Sequence, residues 1–272
     1  MVKKAIDKAY KREIIDTKNM ILQSEKADCN ESETRRRIER IFENLMGYDA
    51  FKHLSRERAI RGAGETEHVD FSIQTEEGPD AQPVIMVEIK RVCVDLSPKH
   101  LKQVSSYAIN AGCEWILLTN SREWKVYHVA FGQPPITKQV ATWNVLTDDI
   151  AILANFFELI SFKSVKKGAL EKLWEKTNVL HPRNLLKAIL SEGSMRSIRK
   201  ELKKDTDINL SPEDVLVGVR RLLNESALAE LEGVRITFPE KKPRPHKPKV
   251  ALVPTLPEEP SDEAQAEDSS IS

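Results

Sequence analysis

Apolar positions along the chain fall into two regimes, one of mixed periodicity up to about residue 147 and one of purely helical spacing beyond it. Ile6, Tyr10, Ile14 and Ile21 recur near the helical period, with Leu22 beside them, and predict a helix over 3–26. A second stripe of Thr34, Ile38, Ile41, Phe42 and Leu45 predicts a helix that begins at Asn30 or Ser32, runs to Met46 and stops at Gly47. The pattern then changes to alternation. After a polar, glycine-bearing loop with Arg61, Gly62 and Gly64, HVDFSI at 68–73 reads as a strand, with Gly78 and Pro79 marking a turn. PVIMVEIK at 83–90 is an apolar run of strand length. Ser97 and Pro98 form a cap and first-turn pair for a helix to about Ala111, on Leu101, Val104 and Ala108. WILLT at 115–119 and WKVYHV at 124–129 predict two further strands across a short turn.

The resulting order of helix, strand, strand, helix, strand, strand predicts an α/β fold, a mixed β-sheet with helices packed on it. From 148 onward DDIAILANFFELI, GALEKLWEKTNVL, NLLKAIL and SPEDVLVGVRRLLNESAL predict additional C-terminal helices. The expected organisation is a first domain over 1–150, a helical region over 151–237, and a tail over 238–272. Within the tail, residues 241–249 carry five Lys or Arg and three Pro, while 251–272 carry six acidic side chains and no basic one, a composition that reads as disorder.

Composition narrows the classes. The 272 residues carry 42 basic and 42 acidic side chains, a formal net charge of zero, which argues against a large surface that coats nucleic acid non-specifically while leaving room for a local patch. No stretch has the run of apolar residues needed for a membrane span, and Asp7, Glu13 and Asp16 interrupt any secretory leader, so a cytoplasmic location with no membrane partner is expected. Cys29, Cys93 and Cys113 lack the spacing of a disulfide framework or a zinc site.

The chemistry is concentrated in the 83–90 strand. Alternation places Val84, Met86, Glu88 and Lys90 on one face and Ile85, Val87 and Ile89 on the other. A charged residue inside an apolar strand is costly to bury unless it is paired or binds a metal. Asp70 lies in the preceding strand, and if the two strands are neighbours its carboxylate reaches the same point as that of Glu88. Two hard oxygen ligands suit Mg²⁺, which retains waters for a substrate phosphate. A lysine beside them orients the attacking water or stabilises the negative transition state. The blander reading of the same residues is a Glu–Lys pair on a solvated edge strand. His53, His68, His100 and His128 have no metal-ligand spacing, and Trp115, Trp124 and Trp143 read as packing residues.

The flanking motifs favour the metal-site reading. The stretch NESETRRRIERIFENLMGYD at 30–49 resembles the opening helix of the N-terminal nuclease domain of type I restriction enzyme motor subunits, within the PD-(D/E)xK nuclease superfamily. The matching residues are Glu33, Thr34 and Arg35 at its start, then Leu45, Met46, Gly47 and Tyr48 at its end. In the same order, the metal-binding Asp of that family falls on Asp70, its (D/E)xK element on Glu88, Ile89 and Lys90, its QxxxYA helix motif on Gln103, Tyr107 and Ala108, and its TN before a Trp-containing hairpin on Thr119, Asn120 and Trp124. Val69 stands where the superfamily's namesake proline would be. The resemblance covers residues 30 to about 130. It implies a restriction-endonuclease-like fold, Asp70, Glu88 and Ile89 as metal-binding positions for Mg²⁺ or Mn²⁺, and catalytic roles for Asp70, Glu88, Lys90, Gln103 and a first-helix acid. Resemblance selects Glu33 for that acid, while the helical wheel puts Glu31 nearer the buried stripe. Arg35, Arg36, Lys99 and Lys102 become candidate DNA contacts. No GxxxxGK(S/T) phosphate loop occurs, so no ATP-driven motor is expected in these residues. The implied activity is DNA phosphodiester hydrolysis, with DNA and a separate helicase or other defence-system protein as partners. A nuclease-fold module that binds DNA or protein without cutting is the alternative.

Overall fold

A computed structural model describes residues 6–61, 66–78 and 81–234. The tail expected over 238–272, the start of the first predicted helix and the Gly62–Gly64 loop lie outside the described residues. Helix α1 spans Lys8–Lys26 and α2 spans Glu31–Asn44. A reciprocal capping box starts α2: Glu33 N–H donates to Asn30 Oδ1 at 2.9 Å, and Asn30 N–H donates to Glu33 Oε2 at 3.2 Å. The helix ends at Asn44, two residues short of the expected Met46, and Gly47 just beyond adopts a φ of 72°, open to glycine without steric cost.

Six strands follow in one mixed sheet, β1 Leu54–Arg61, β2 Thr66–Ile73, β3 Ile85–Ile89, β4 Trp115–Thr119, β5 Glu123–Ala130 and β6 Ile136–Asn144. Their order in space is their order in sequence. Neighbours are antiparallel except β3 and β4, which are parallel and joined by the crossover helix α3, Pro98–Asn110. Strands β1 and β6 are additions to the predicted set. β1, LSRERAIR, is dominated by charge, and β6 alternates buried with exposed positions only from Ala141 onward, so neither carries a strong apolar signal.

The strands separate two cores. On one face Phe71, Ile73, Val87, Ile89 and Trp124 pack with Ile14 and Ile21 of α1, Ile38 and Phe42 of α2, and Phe157 of α4, Ile150–Leu159. Trp124 is at its centre, stacked on Trp143 and edge-on to Phe42 and Phe157. On the other face Val69, Met86, Ile116 and Leu118 pack under Val104, Tyr107 and Ala108 of α3. Met86 thus keeps the face that alternation predicts, whereas Val84, which precedes β3, packs with the opposite core.

The described residues divide into two compact units, one running to Ile189 and including Leu223–Val234, the other Leu190–Leu222. The first contains the sheet, α5 Phe162–Val165, α6 Ala169–Val179, α7 Pro182–Ile189 and α10 Glu225–Glu232. The boundary expected at 150/151 falls inside it, because Leu153, Ala154 and Phe157 of α4 belong to the sheet's core. The second holds α8 Glu192–Thr206 and α9 Pro212–Leu222, tied by Arg199 Nε donating to the Leu210 carbonyl at 2.6 Å. The helical stretch 211–228 is broken at Asn224, whose Oδ1 caps α10 by accepting Ala227 N–H at 2.9 Å. Among the described residues no helix is long and apolar enough to cross a membrane.

Candidate active site

Strands β2 and β3 pair through Phe71↔Val87, Ser72↔Met86 and Ile73↔Ile85, and there the ladder stops. The next residue on each strand is an acid, Asp70 on β2 and Glu88 on β3. In place of a further backbone bond, Ile89 N–H donates to Asp70 Oδ2 at 2.7 Å. The carboxylate therefore stands in for a strand carbonyl, which satisfies a buried amide and fixes the carboxyl plane at once. Asp70 is 8% exposed and Glu88 2% exposed.

These two acids open onto one cleft of about 380 Å³, lined also by Glu31, Arg35, Val69, Lys90 and Gln103. Lys90 follows the end of β3; its N–H donates to the Thr119 carbonyl at 2.9 Å, and its Nζ donates to Glu88 Oε1 at 2.6 Å. Arg35, on α2, donates from Nη2 to Asp70 Oδ1. Gln103, on α3, donates from Nε2 to the Tyr107 hydroxyl at 3.0 Å, so that the two polar residues of the helix motif are in contact. Asn120 serves the site from behind. Its Nδ2 donates to the Val94 carbonyl at 2.8 Å and its Oδ1 accepts Glu123 N–H at 2.7 Å, pinning the segment that follows Lys90 to the β4–β5 turn.

The electrostatics follow from burial. Loss of water raises the Glu88 carboxyl to about 7; the Lys90 hydrogen bond and charge oppose this, while the nearby Asp70 and Glu31 carboxylates add to it. Burial alone would lower the Lys90 ammonium, but the hydrogen bond and charge of Glu88, with Glu31 and Asp70, outweigh it and hold its pKa above the ordinary lysine value. Lys90 is therefore an ammonium near neutrality, equipped to donate and not to abstract a proton.

The expected residues do not all come together. Asp70, Glu88, Lys90, Gln103 and Arg35 share the cleft. Glu33 does not: its carboxylate closes the capping box with Asn30, and the first-helix acid facing the cleft is Glu31. The helical wheel, not the resemblance, points to the acid that lines the cleft. Ile89 reaches the site only through its backbone, since its side chain is in the core on the far face. Arg36 lies on the other flank of α2, with Glu33. Lys99 and Lys102 are exposed on α3. His100 is a neighbour that the sequence gives no reason to choose. Its Nδ1 accepts Ser97 N–H at 3.2 Å, and its pKa is lowered by burial and by the Lys90 cation.

Asp70 and Glu88 form a hard-oxygen pair suited to Mg²⁺, which is commonly bound through one or two carboxylates together with substrate phosphates. The raised Glu88 carboxyl reflects chiefly its burial, with the Asp70 and Glu31 carboxylates adding to it. Among the described residues no group of three or more His, Cys, Asp or Glu is arranged to hold a metal ion, so Glu31 does not extend the pair into a three-carboxylate cage.

No curated protein and no solved structure matches the chain. One family model does, over the region that builds this cleft: residues 30–139 match the type I restriction enzyme R protein N terminus (HSDR_N), the nuclease-like N-terminal domain of a PD-(D/E)xK-related family.

Proposed function

We propose that the chain is a metal-dependent nuclease that hydrolyses DNA phosphodiester bonds, with Asp70, Glu88 and Lys90 as its working cluster. The observation that supports this is the meeting of the three side chains in one cleft at the point where β2 and β3 part. Asp70 and Glu88, with the Ile89 backbone between them, would hold Mg²⁺ or Mn²⁺. When bound, such an ion lowers the pKa of an attacking water and neutralises charge on the phosphoryl oxygens. The chain's own residues do the rest. Lys90, kept protonated by its carboxylate neighbours, donates to a phosphoryl oxygen as negative charge builds there. Gln103, held by Tyr107, offers its amide to a phosphate or to the attacking water. Arg35, which donates to Asp70 in this structure, would serve as a donor to the DNA backbone if released from that carboxylate.

A second reading, a nuclease-fold module that binds without cutting, is favoured by one feature: each acid is already matched by a cation of the chain, Asp70 by Arg35 and Glu88 by Lys90. Cleavage of linear and circular DNA in Mg²⁺, Mn²⁺ or EDTA separates the two. Wild type is expected to cut only with metal. Asp70→Asn, which removes a ligand charge but keeps the shape, and Lys90→Ala, which removes the donor, are each expected to lower the rate by about 10²–10³ or more, with unchanged circular dichroism. Wild-type protein that binds DNA and never cuts it establishes the module reading. Cutting that survives both substitutions removes the assignment of this cluster.

A further inference from the structure

We propose that the crevice between α1 and α2 is a binding track for the sugar–phosphate backbone of duplex DNA, separate from the catalytic cleft. The crevice has a volume of about 550 Å³ and is lined by Gln23 and Ser24 from α1 and by Glu33, Arg36, Arg37 and Arg40 from α2. Arg35, Arg56, Arg91 and Arg122 of the same unit are each held by a carboxylate. Among the described residues Arg36, Arg37 and Arg40 are in no ion pair, although Glu33 sits beside them. That carboxylate is engaged by the Asn30 N–H at the helix start. Arg37 donates from Nη1 to the Glu33 carbonyl at 3.0 Å, which orients its guanidinium and leaves its other N–H groups available.

Arg36 and Arg40 are four residues apart on one helix, a like-charge spacing that costs an isolated helix a few tenths of a kcal/mol. An anion between them turns that repulsion into attraction. A row of phosphates, with a negative charge at each step, matches three guanidinium groups along a groove. The track has an end, because the adjoining stretch of the crevice is lined by Glu13 and Asp16 with Arg40 at the junction. Helix α2 places Glu31 and Arg35 in the catalytic cleft on one flank and these arginines on the other. The second wall, α1, precedes the family-matched residues 30–139.

The choice of DNA as the polyanion rests on the proposed nuclease activity, and the experiment keeps the two apart. Binding of a short fluorescent duplex is followed by anisotropy in Ca²⁺ over a range of salt, for wild type, Arg36→Gln/Arg40→Gln, Arg36→Lys/Arg40→Lys and Lys90→Ala. The glutamine pair is expected to bind roughly tenfold to a hundredfold more weakly, with the slope of log K on log salt reduced by about 2, near one per lost phosphate contact. The lysine pair is expected to recover most of both. Lys90→Ala is expected to keep the wild-type slope to within about 1. All variants replace exposed helix positions or a cleft donor, and thermal melts check that each one folds. Glutamine variants that match wild type in affinity and slope overturn the track, and so does wild-type protein that binds no duplex DNA. Preferential binding of duplex RNA with the same loss overturns the choice of DNA. Weakened binding in a protein that never cuts leaves the track standing and removes the nuclease, while cutting with unaltered binding in the arginine variants does the reverse.

Discussion

Glu88→Gln should stabilise the metal-free protein at neutral and higher pH while abolishing the proposed cleavage. The carboxyl is almost fully buried, and its pKa is raised from 4.5 in the unfolded chain to about 7 in the fold. A group whose folded pKa is raised contributes stability that is complete below 4.5 and lost as pH rises to about 7, because the fold holds the proton more tightly than the unfolded chain. At ~1.4 kcal/mol per pH unit, that span corresponds to about 3 kcal/mol of lost stability in the wild type. The attraction of Lys90 is already included, since it acts to lower the same value. Glutamine has the shape of the protonated acid and does not titrate, so it escapes the loss. In EDTA the two proteins should melt together near pH 4.5, and the variant should melt higher above pH 7, by roughly 6–12 °C for a protein of this size class. Differential scanning calorimetry from pH 4.5 to 8 measures the gap. Saturating Mg²⁺ should narrow or reverse it, since a ligand at about a hundred times its Kd stabilises the wild type alone by ~2.7 kcal/mol. A melting difference that does not change with pH in EDTA would refute the reasoning, because the burial of an ionisable Glu88 would then have no energetic consequence.

Two further outcomes test other parts of the structure. Arg35→Gln removes the cation that occupies Asp70 Oδ1, and Mn²⁺ binding measured by calorimetry should tighten by about tenfold, equivalent to ~1.4 kcal/mol; weaker binding would show that Arg35 holds Asp70 in its ligating pose. Trp124→Ala empties the centre of the core between Phe42, Trp143 and Phe157 and should cost about 3–5 kcal/mol in denaturant unfolding; a loss below about 1 kcal/mol would place the centre of that core elsewhere.

What was legible in the sequence were the elements with strong periodicity. The stripe of α2, the apolar runs of β3 and β4 and the Ser97–Pro98 start of α3 are all found, because in each the local pattern and the burial agree. Strand β1 was hidden because half of its residues are charged, and α8 because EGSMRSIRKELKKDT carries few apolar residues for its length. The site divides in the same way. Glu88 and Lys90 stood out as charges in an apolar strand, and the order of flanking motifs placed Asp70 and Gln103 beside them. Which first-helix acid faces the cleft depended on a competition that spacing does not display: Glu33 is three residues after the Asn30 cap and is recruited by it, which leaves Glu31 for the cleft. The pairing of Arg35 with Asp70 joins residues far apart in sequence and has no local signature.

The parallel pairing of β3 with β4 has a kinetic consequence. Strands β1, β2 and β3 form one antiparallel meander and β4, β5 and β6 another, each closed through connections short in sequence. Among the described residues the two pair along the β3–β4 seam, whose partners, such as Ile85 and Trp115, are separated by the whole of α3. Closing that longer loop is the entropically dearer step, so the seam is the natural late event in folding. Asp70 and Glu88 both belong to the first meander and can be brought together before the seam zips. The carbonyl that anchors Lys90, that of Thr119, arrives with the second. The acid pair is thus assembled locally, whereas the backbone anchor of Lys90 forms only when the two halves of the sheet have joined.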